Sequence, residues 1–455
     1  MSSRVEVAQK SASKVFGAVH GPLLPKIICD RGEGIYLFDQ DGKRYIDFSG
    51  GPMAVSIGHG DKRVRDAMVE QMNKVAFFFR GFWLNEPLLA LAECVIKISP
   101  PNLTMCQFCN SGSEATETAI KIAHQYHVER GKPEKYMVIG RWQGYHGMTL
   151  GALSASGLTL RRSKFGQLLH HWPKIGAPLC YRCPYDLSYP SCNVRCARAL
   201  DEIINQVGAQ YVSAFIAEPI GGAATACMVP VPEYYPMIRE ICDKHDVLFI
   251  DDEVIAGFGR TGKWFSIEHW GVNPDIITSA KGMTGCYTPM AVVIIDQKIG
   301  QVFSEKGVAF IHGFTMEGNP VSAAACLAVV DIMGKEGLVE RCARLGEYFF
   351  ARAKEKLSPH ATVGDIRGKG LLMGIELVKN KETKEPFDPA LRVSYRLQQL
   401  AMQKGCMIYP TTGVVNGIRG DHFLVSPPFI ITEAEIDTAF DMLDEAFTDL
   451  EKEVL

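Results

Sequence analysis

The sequence predicts an α/β fold organised around a mostly parallel sheet. Three observations lead there. From about residue 104 short apolar runs alternate with longer helical segments, the rhythm of strand–helix–strand units. The 455 residues are 47% hydrophobic and 22% charged, an ordinary globular composition with ample core material. After residue 320 the rhythm changes to a long helical run and then a mixed segment, which reads as a smaller C-terminal α+β domain.

The elements follow in order. Gly34–Asp39 and Arg44–Phe48 flank Gln40-Asp41-Gly42-Lys43, a hairpin with Asp-Gly at its turn. Gly50-Gly51-Pro52 and Gly58-His59-Gly60 mark irregular backbone. Asp61–Lys74 reads as a helix with Asp61 as its cap and Val64, Met68 and Val69 on its apolar side; Asn85–Ile98 is a second. Met105–Cys109 is a strand, Ser111–Arg130 a helix, Tyr136–Gly140 a strand, and Leu200–Val207 a helix. Val212–Ala217 is a strand, Pro232–His245 a helix, and Val247–Asp251 a strand, with Asp275–Thr278 and Met290–Ile295 completing the set. Pro320–Leu357 is helical with a break near Gly334 and Gly337. Leu371–Leu377 is a strand, Lys379–Pro386 a charged surface loop, and Thr432–Glu451 a closing amphipathic helix. Ligands of such sheets bind at the carboxyl ends of the strands.

Composition excludes several classes. A net charge of −3 implies no broad basic surface for nucleic acid. No apolar run is long enough for a membrane-spanning helix. Met1–Lys14 is polar and lacks the apolar stretch of a secretory signal, so a cytoplasmic protein is expected. Fourteen cysteines in a chain this long do not make a disulfide scaffold, and Cys94, Cys326 and Cys342 read as small buried hydrophobes.

The chemistry is read from Lys281, in Ser279-Ala280-Lys281-Gly282-Met283, 29 positions after Asp252 of Asp252-Glu253-Val254. An acid at the end of a buried strand and a lone lysine among small residues are what pyridoxal phosphate chemistry requires. The amine forms a Schiff base with the cofactor aldehyde, and the carboxylate keeps the pyridine nitrogen protonated. Asp251 and Glu253 adjoin Asp252 and compete for that role; with no histidine cluster nearby, metal binding is disfavoured.

Asn110-Ser111-Gly112-Ser113-Glu114 lies between a strand and a helix. It reads as a capping box, with Ser111 as cap and Glu114 reaching back, and equally as a phosphate cup at a helix N-terminus. In Gly144-Tyr145-His146-Gly147 the Tyr145 ring either stacks on a flat cofactor or fills a core loop, and His146 is either an outer hydrogen-bond partner or structural. Gly257-Phe258-Gly259-Arg260-Thr261-Gly262 matches the dinucleotide glycine pattern, but no amphipathic helix opens from it, so that reading is rejected. Cys180, Cys183, Cys192 and Cys196 form a compact cluster that suits a zinc site, with reduced loop thiols the favoured reading.

Taken together, the chain resembles the class III aminotransferases from about Gly34 to its C-terminus. The shared motifs are Asn-Ser-Gly-Ser-Glu-Ala at 110–115, Gly-Tyr-His-Gly at 144–147, Ala-Glu-Pro-Ile at 217–220, Asp-Glu-Val at 252–254 with the glycine run that follows, Ala-Lys-Gly at 280–282 and His-Gly-Phe-Thr at 312–315. The resemblance implies pyridoxal 5′-phosphate as cofactor and the fold type I architecture: a large domain with a mostly parallel seven-stranded sheet plus a smaller α+β domain. The division it implies is an N-terminal segment 1–65 contributing to the small domain, a large cofactor-binding domain 66–325, and a C-terminal small domain 326–455.

The resemblance also implies roles. Lys281 is the Schiff-base lysine and proton shuttle, and Asp252 pairs with the pyridine nitrogen. Val254 and Tyr145 take opposite ring faces. Ser111, Gly112 and Ser113 hold the phosphate, with His146 and Glu218 close to the cofactor and substrate. Thr315 reaches the phosphate of the neighbouring subunit, which implies a homodimer, or a dimer of dimers, with shared active sites.

Members acting on α-amino acids carry an arginine shortly before a Pro-Pro pair; here Leu424 stands at that place, ahead of Pro427-Pro428. This looks like the ω-amine branch, with Arg419 as a mobile carboxylate binder and Met53, Phe82 and Trp83 as pocket walls. The implied reaction moves an amino group from an amine or amino acid to a keto acid such as pyruvate or 2-oxoglutarate. A lyase, epimerase or aminomutase on the same scaffold is the alternative, and a non-catalytic interaction protein a third.

Overall fold

The structure is a computed structural model and describes residues 27–455. Expectations for Met1–Lys14, and for the first part of the 1–65 segment, lie outside the described residues. Strands β1 (Cys29–Glu33), β2 (Tyr36–Asp39) and β3 (Arg44–Ile46) form an antiparallel three-stranded sheet. The predicted hairpin turn joins β2 to β3. Asp39 Oδ1 accepts from the backbone N–H groups of Asp41 and Lys43 at 3.0 and 2.9 Å, and Gly42 takes φ +82°, a left-handed value that glycine adopts without strain. Ile46 bridges to Cys406, tying this sheet to the C-terminal region.

The central sheet has seven strands: β4 (Leu103–Cys109), β5 (Met137–Arg141), β6 (Lys174–Ile175), β7 (Val212–Ala217), β8 (Leu248–Asp252), β9 (Ile276–Ser279) and β10 (Ala291–Asp296), in the order β4-β10-β9-β8-β7-β5-β6. β10 is antiparallel to both its neighbours, and the other six share one direction. The reason lies in the connection. Between Ser279 and Ala291 the chain holds only a 3₁₀ turn at Lys281–Met283, too little for the helical crossover a parallel return requires. β7 and β8 are buried along their whole length, as strands covered by helices on both faces are.

Most predicted elements appear within a residue or two. Asp61 caps Lys62–Lys74, its side chain accepting from Arg63 N–H, but Val69 lies 47% exposed rather than on the buried stripe. The helix predicted over 200–207 starts earlier, at Arg195. The long C-terminal run breaks into Pro320–Lys335 and Leu338–Leu357, with Gly337 at φ +58° in the break. The four-stranded C-terminal sheet, β11 (Val363–Lys369), β12 (Leu372–Leu377), β13 (Tyr409–Val415) and β14 (Arg419–Val425), is antiparallel in the order β11-β12-β14-β13. Only β12 was legible beforehand. β14 carries Asp421 and His422 in its interior, where Ser394 N–H and hydroxyl satisfy the first (3.0 and 2.8 Å) and the Ala223 carbonyl the second (2.7 Å).

The rejected glycine motif has a structural explanation. Arg260 is buried and donates to the carbonyls of Pro427 (2.6 Å), Leu371 (3.3 Å) and Val55 (2.7 Å). It thereby ties three separate chain segments together, satisfying otherwise orphaned carbonyls. Gly262 (φ +87°) sits where a Cβ would fall 2.7 Å from the backbone of Ala343. Burial without a carboxylate partner pulls the Arg260 guanidinium down to about 10. Among the described residues no helix is long and apolar enough to cross a membrane.

Candidate active site

A cavity of about 300 Å³ opens where the sheet's carboxyl ends meet the C-terminal sheet. Its lining comes from the residues that follow β4 (Ser111, Gly112, Ser113), β5 (Tyr145, His146), β7 (Glu218), β8 (Asp252, Val254) and β9 (Lys281), with Tyr409 and Thr411 supplied by β13. This is the crevice at which open α/β sheets present their ligands.

Strand alternation separates the three adjacent acids. Asp251 and Glu253 point away from the cavity into full burial, whereas Asp252 lines it. Burial, and for Asp251 the neighbouring Glu253, hold the carboxyl groups of Asp251 and Glu253 well above the usual range. Asp252 instead meets donors. Its Oδ2 lies 2.6 Å from His146 Nδ1, and its Oδ1 accepts from Val254 N–H at 3.1 Å and from the Thr278 hydroxyl at 3.4 Å. His146 is fixed in turn by its backbone N–H donating to Ser156 Oγ at 2.8 Å. Of the two readings left open for His146, the hydrogen-bond partner is the one the geometry supports.

Lys281 stands at the other side of the cavity. Its backbone has φ +38°, a strained value for a residue with a Cβ, costing about 1–3 kcal/mol and typical of functional positions. Its Nζ donates to the Pro52 carbonyl at 2.9 Å. Burial lowers the amine to about 8, against an opposing pull from the Asp252 charge.

Glu218 is clamped by backbone donors. Tyr145 N–H reaches its Oε2 at 3.2 Å and Gly222 N–H its Oε1 at 3.0 Å. Burial raises its carboxyl above the ordinary range. Its chemistry here is to fasten the Tyr145 loop.

At the end of β4 the helix Gly112–Glu129 begins, and its first residues, with the cap Ser111, line the cavity. Ser111 Oγ accepts from Glu114 N–H at 3.2 Å, completing half of the expected capping box. The other half is displaced by one residue: the Glu114 carboxylate accepts from the N–H and side-chain amide of Asn110 at 2.8 and 2.9 Å. Gly112 packs against Val254, whose Cγ1 would lie 2.9 Å from any Cβ at residue 112. Valine is stiff at χ1, so Gly112→Ala should push Val254 into the cavity and weaken cofactor retention about tenfold. Equilibrium dialysis checks this, and Gly112→Ala combined with Val254→Ala should recover most of the loss.

Four expected residues do not join this cavity within one chain. Phe82 and Trp83 are 78% and 68% exposed, in the loop between the helices Lys62–Lys74 and Glu86–Ile98. Phe82 meets Phe79 edge to face, with ring centroids 5.3 Å apart. Met53 does line the cavity, but the other apolar walls are Leu158, Ile255 and Tyr409. Arg419 is exposed at the start of β14, opposite Val415, and outside the lining. Thr315 is exposed and outside its own chain's cavity. Leu158, Arg161 and Ile255 were not foreseen, since they come from turns and short segments that carry no periodicity. All fourteen cysteines are free thiols, and among the described residues no group of three or more His, Cys, Asp or Glu is placed to hold a metal.

The family model for aminotransferase class III matches residues 17–447. The chain belongs to the class III aminotransferases. It is 36% identical to a taurine–pyruvate aminotransferase of Bilophila wadsworthia, covering 93% of this chain and 92% of the relative. It is 35% identical to a putrescine–pyruvate aminotransferase of Pseudomonas aeruginosa, covering 90% and 88%. A crystal structure of an (S)-enantioselective omega-transaminase from Thermomicrobium roseum superposes with a TM-score of 0.89 at 34% identity, covering 97% of this chain and 98% of that one. The protein is thus a pyridoxal-phosphate-dependent transaminase of class III, an enzyme that moves an amino group from an amine or amino acid to a keto acid. None of these relatives is described as a lyase or an epimerase.

Proposed function

We propose that this aminotransferase takes an ω-amine donor and a small keto acid such as pyruvate, with pyridoxal 5′-phosphate held in the 300 Å³ cavity on Lys281. The observation that carries the reading is the meeting, in one cavity, of a lysine amine with lowered basicity, a hydrogen-bonded carboxylate and a helix N-terminus. The donor set fits the cofactor at each of its polar ends. When bound there, pyridoxal phosphate supplies an aldehyde for the donor amine and a ring that withdraws electrons from the bond being broken.

The chain's own residues do the rest. Gly112 and Ser113 offer backbone N–H groups to a phosphate, aided by the helix dipole. Asp252, oriented by His146 and Val254 N–H, would hold a proton on the ring nitrogen through a charge-assisted hydrogen bond. Val254 and Tyr145 both line the cavity and would take opposite faces of the ring, and Glu218 keeps the Tyr145 loop in place. With its amine free, Lys281 Nζ would act as the general base that takes a proton from the donor carbon and as the general acid that gives it back.

Two features support a homodimer with shared sites. The segments around Phe82-Trp83-Leu84 and Ile311 are exposed by 78, 68, 82 and 94%, more apolar surface than a lone subunit presents without a partner. Thr315, outside its own cavity, is free to reach the phosphate of a partner subunit. A monomeric mass for the fully active enzyme would sink this part. Residues 66–325 act as the cofactor-binding domain, with 326–455 and the segment up to 65 as the small domain. The fourteen free thiols suit a reducing, cytoplasmic setting.

The testing experiment is a donor panel of ω-amino acids, α-amino acids, aminosulfonates and diamines with pyruvate as acceptor, read by keto-acid consumption and by loss of the cofactor's bound-state absorbance. Transfer from ω-amines is expected to exceed transfer from α-amino acids. A strict preference for α-amino acids would overturn the donor class.

A further inference from the structure

The cavity's cations and anions do not balance once the cofactor's needs are met. Asp252 is committed to His146 and the ring nitrogen, the helix N-terminus to the phosphate, and Lys281 to the reacting carbon. Glu218 is held by two backbone N–H groups. A keto acid acceptor still brings a carboxylate, and an acidic donor brings a carboxylate or sulfonate. The remaining walls carry no charge apart from one arginine: Leu158, Ile255 and Met53 are apolar, and Tyr409 and Thr411 offer only neutral hydroxyls. An unpaired anion against such walls is costly.

The place where α-amino acid enzymes put their arginine gives no help. Leu424 is fully buried there, in an apolar cluster with Met53, Ile220 and Ile255. Arg419, the expected mobile substitute, lies outside the lining. One guanidinium does line the cavity, that of Arg161 in the short helix Thr159–Arg162. Around the interior of the fold, Arg182, Arg239, Arg260 and Arg367 are engaged by carboxylates or carbonyls. Among the described residues no hydrogen bond or ion pair occupies the Arg161 side chain; only its backbone N–H is bound, to the Leu158 carbonyl at 3.1 Å. Its charge also reaches the ring wall. Burial raises the Tyr145 phenol, and Arg161 is the first charge acting to lower it.

Resting on the transaminase reading above, we propose that Arg161 is the anion-binding residue of the substrate subsite, taking the carboxylate of the keto acid acceptor and the carboxylate or sulfonate of acidic donors. A planar guanidinium accepts either group through paired N–H···O bonds. It also explains how a single cavity serves substrates with and without an acidic group. Arg161 is exposed at the mouth, so an acid-free amine leaves it in water at no desolvation cost, whereas a buried arginine at residue 424 would be left unpaired.

The test uses purified holoenzyme as wild type, Arg161→Leu, Arg161→Lys and Arg419→Leu. The readouts are KM and kcat for pyruvate, and for taurine and β-alanine against putrescine as an acid-free donor. Arg161→Leu is expected to raise KM for pyruvate and for the acidic donors about tenfold or more relative to any change for putrescine, with kcat moving less than KM. Arg161→Lys should recover part of the loss, since it keeps the charge and loses the fork. Cofactor absorbance and Tm should match wild type. An equal rise for acidic and acid-free substrates, no rise at all, or the selective rise appearing in Arg419→Leu instead would overturn the assignment of Arg161 alone. A wild type that transfers no amino group to any keto acid would overturn the transaminase reading and this inference with it.

Discussion

Lys281→Ala is expected to lower amino-group transfer by about 10⁴-fold or more, because the proposed mechanism makes one side chain both the covalent anchor and the proton carrier. The geometry explains why no neighbour replaces it. The other basic side chains lining the cavity are His146 and Arg161, and neither an imidazole nor a guanidinium forms a Schiff base with an aldehyde. Cofactor should still be retained without a covalent link, since the phosphate and ring-nitrogen contacts are those proposed for Gly112, Ser113 and Asp252. Borohydride reduction followed by peptide mapping separates the two effects: label on the wild-type peptide containing Lys281, none on the variant. The pH dependence has a definite sign. Burial brings the Lys281 amine down from 10.5 to about 8 in the cofactor-free chain, so the neutral, nucleophilic form grows as pH rises through about 8, where surface lysines remain protonated. Covalent loading of apoenzyme should therefore quicken between pH 7 and 9 and then level off. Wild-type turnover in Lys281→Ala, or loading that rises only near pH 10, would remove Lys281 from the centre of the reaction.

Much of this site was legible in the sequence because its parts are local. A phosphate cup needs small residues at one helix start, and Ser111-Gly112-Ser113 supplies them in consecutive positions. A strand-end acid and a lysine between small residues can be read the same way. What stayed hidden depends on tertiary contacts. The choice among Asp251, Asp252 and Glu253 is made by which face of β8 looks toward the cavity, and Asp252 is distinguished by His146, which stands 106 positions away. Arg161 follows an irregular stretch with no motif around it. In the fold, the parallel strands were found as apolar runs, whereas β11, β13 and β14 were missed because polar residues such as Asp365, Thr411, Asp421 and His422 interrupt them. Asp421 and His422 are satisfied by Ser394 and the Ala223 carbonyl, 27 and 199 positions away, which no local pattern reveals. The reversed direction of β10 follows from a connection too short for a crossover helix, a constraint of length rather than of residue type.

Asp252→Asn is expected to lower kcat by about 10³-fold, equivalent to about 4 kcal/mol of transition-state stabilisation. The substitution preserves shape and removes the charge. An amide does not stabilise a protonated ring nitrogen, so the electron-withdrawing power that makes the donor carbon acidic is lost at its source. It also disturbs the carboxylate's other partner. His146 is fully buried, its Nε2 has no partner among the described residues, and its Nδ1 faces Asp252 Oδ2 at 2.6 Å; with asparagine present, only the amide oxygen remains to accept there. Affinity for the cofactor should fall far less than kcat, because the phosphate contacts are untouched. The comparison variant is Glu218→Gln, at the other acid lining the cavity. Glu218 is held by Tyr145 and Gly222 N–H groups, and burial already favours its uncharged form, so neutralising it should cost no more than about tenfold. Steady-state kcat for the two variants, with cofactor binding measured separately by dialysis, decides the matter: a larger loss in Glu218→Gln than in Asp252→Asn would move the ring-nitrogen partner from β8 to the end of β7.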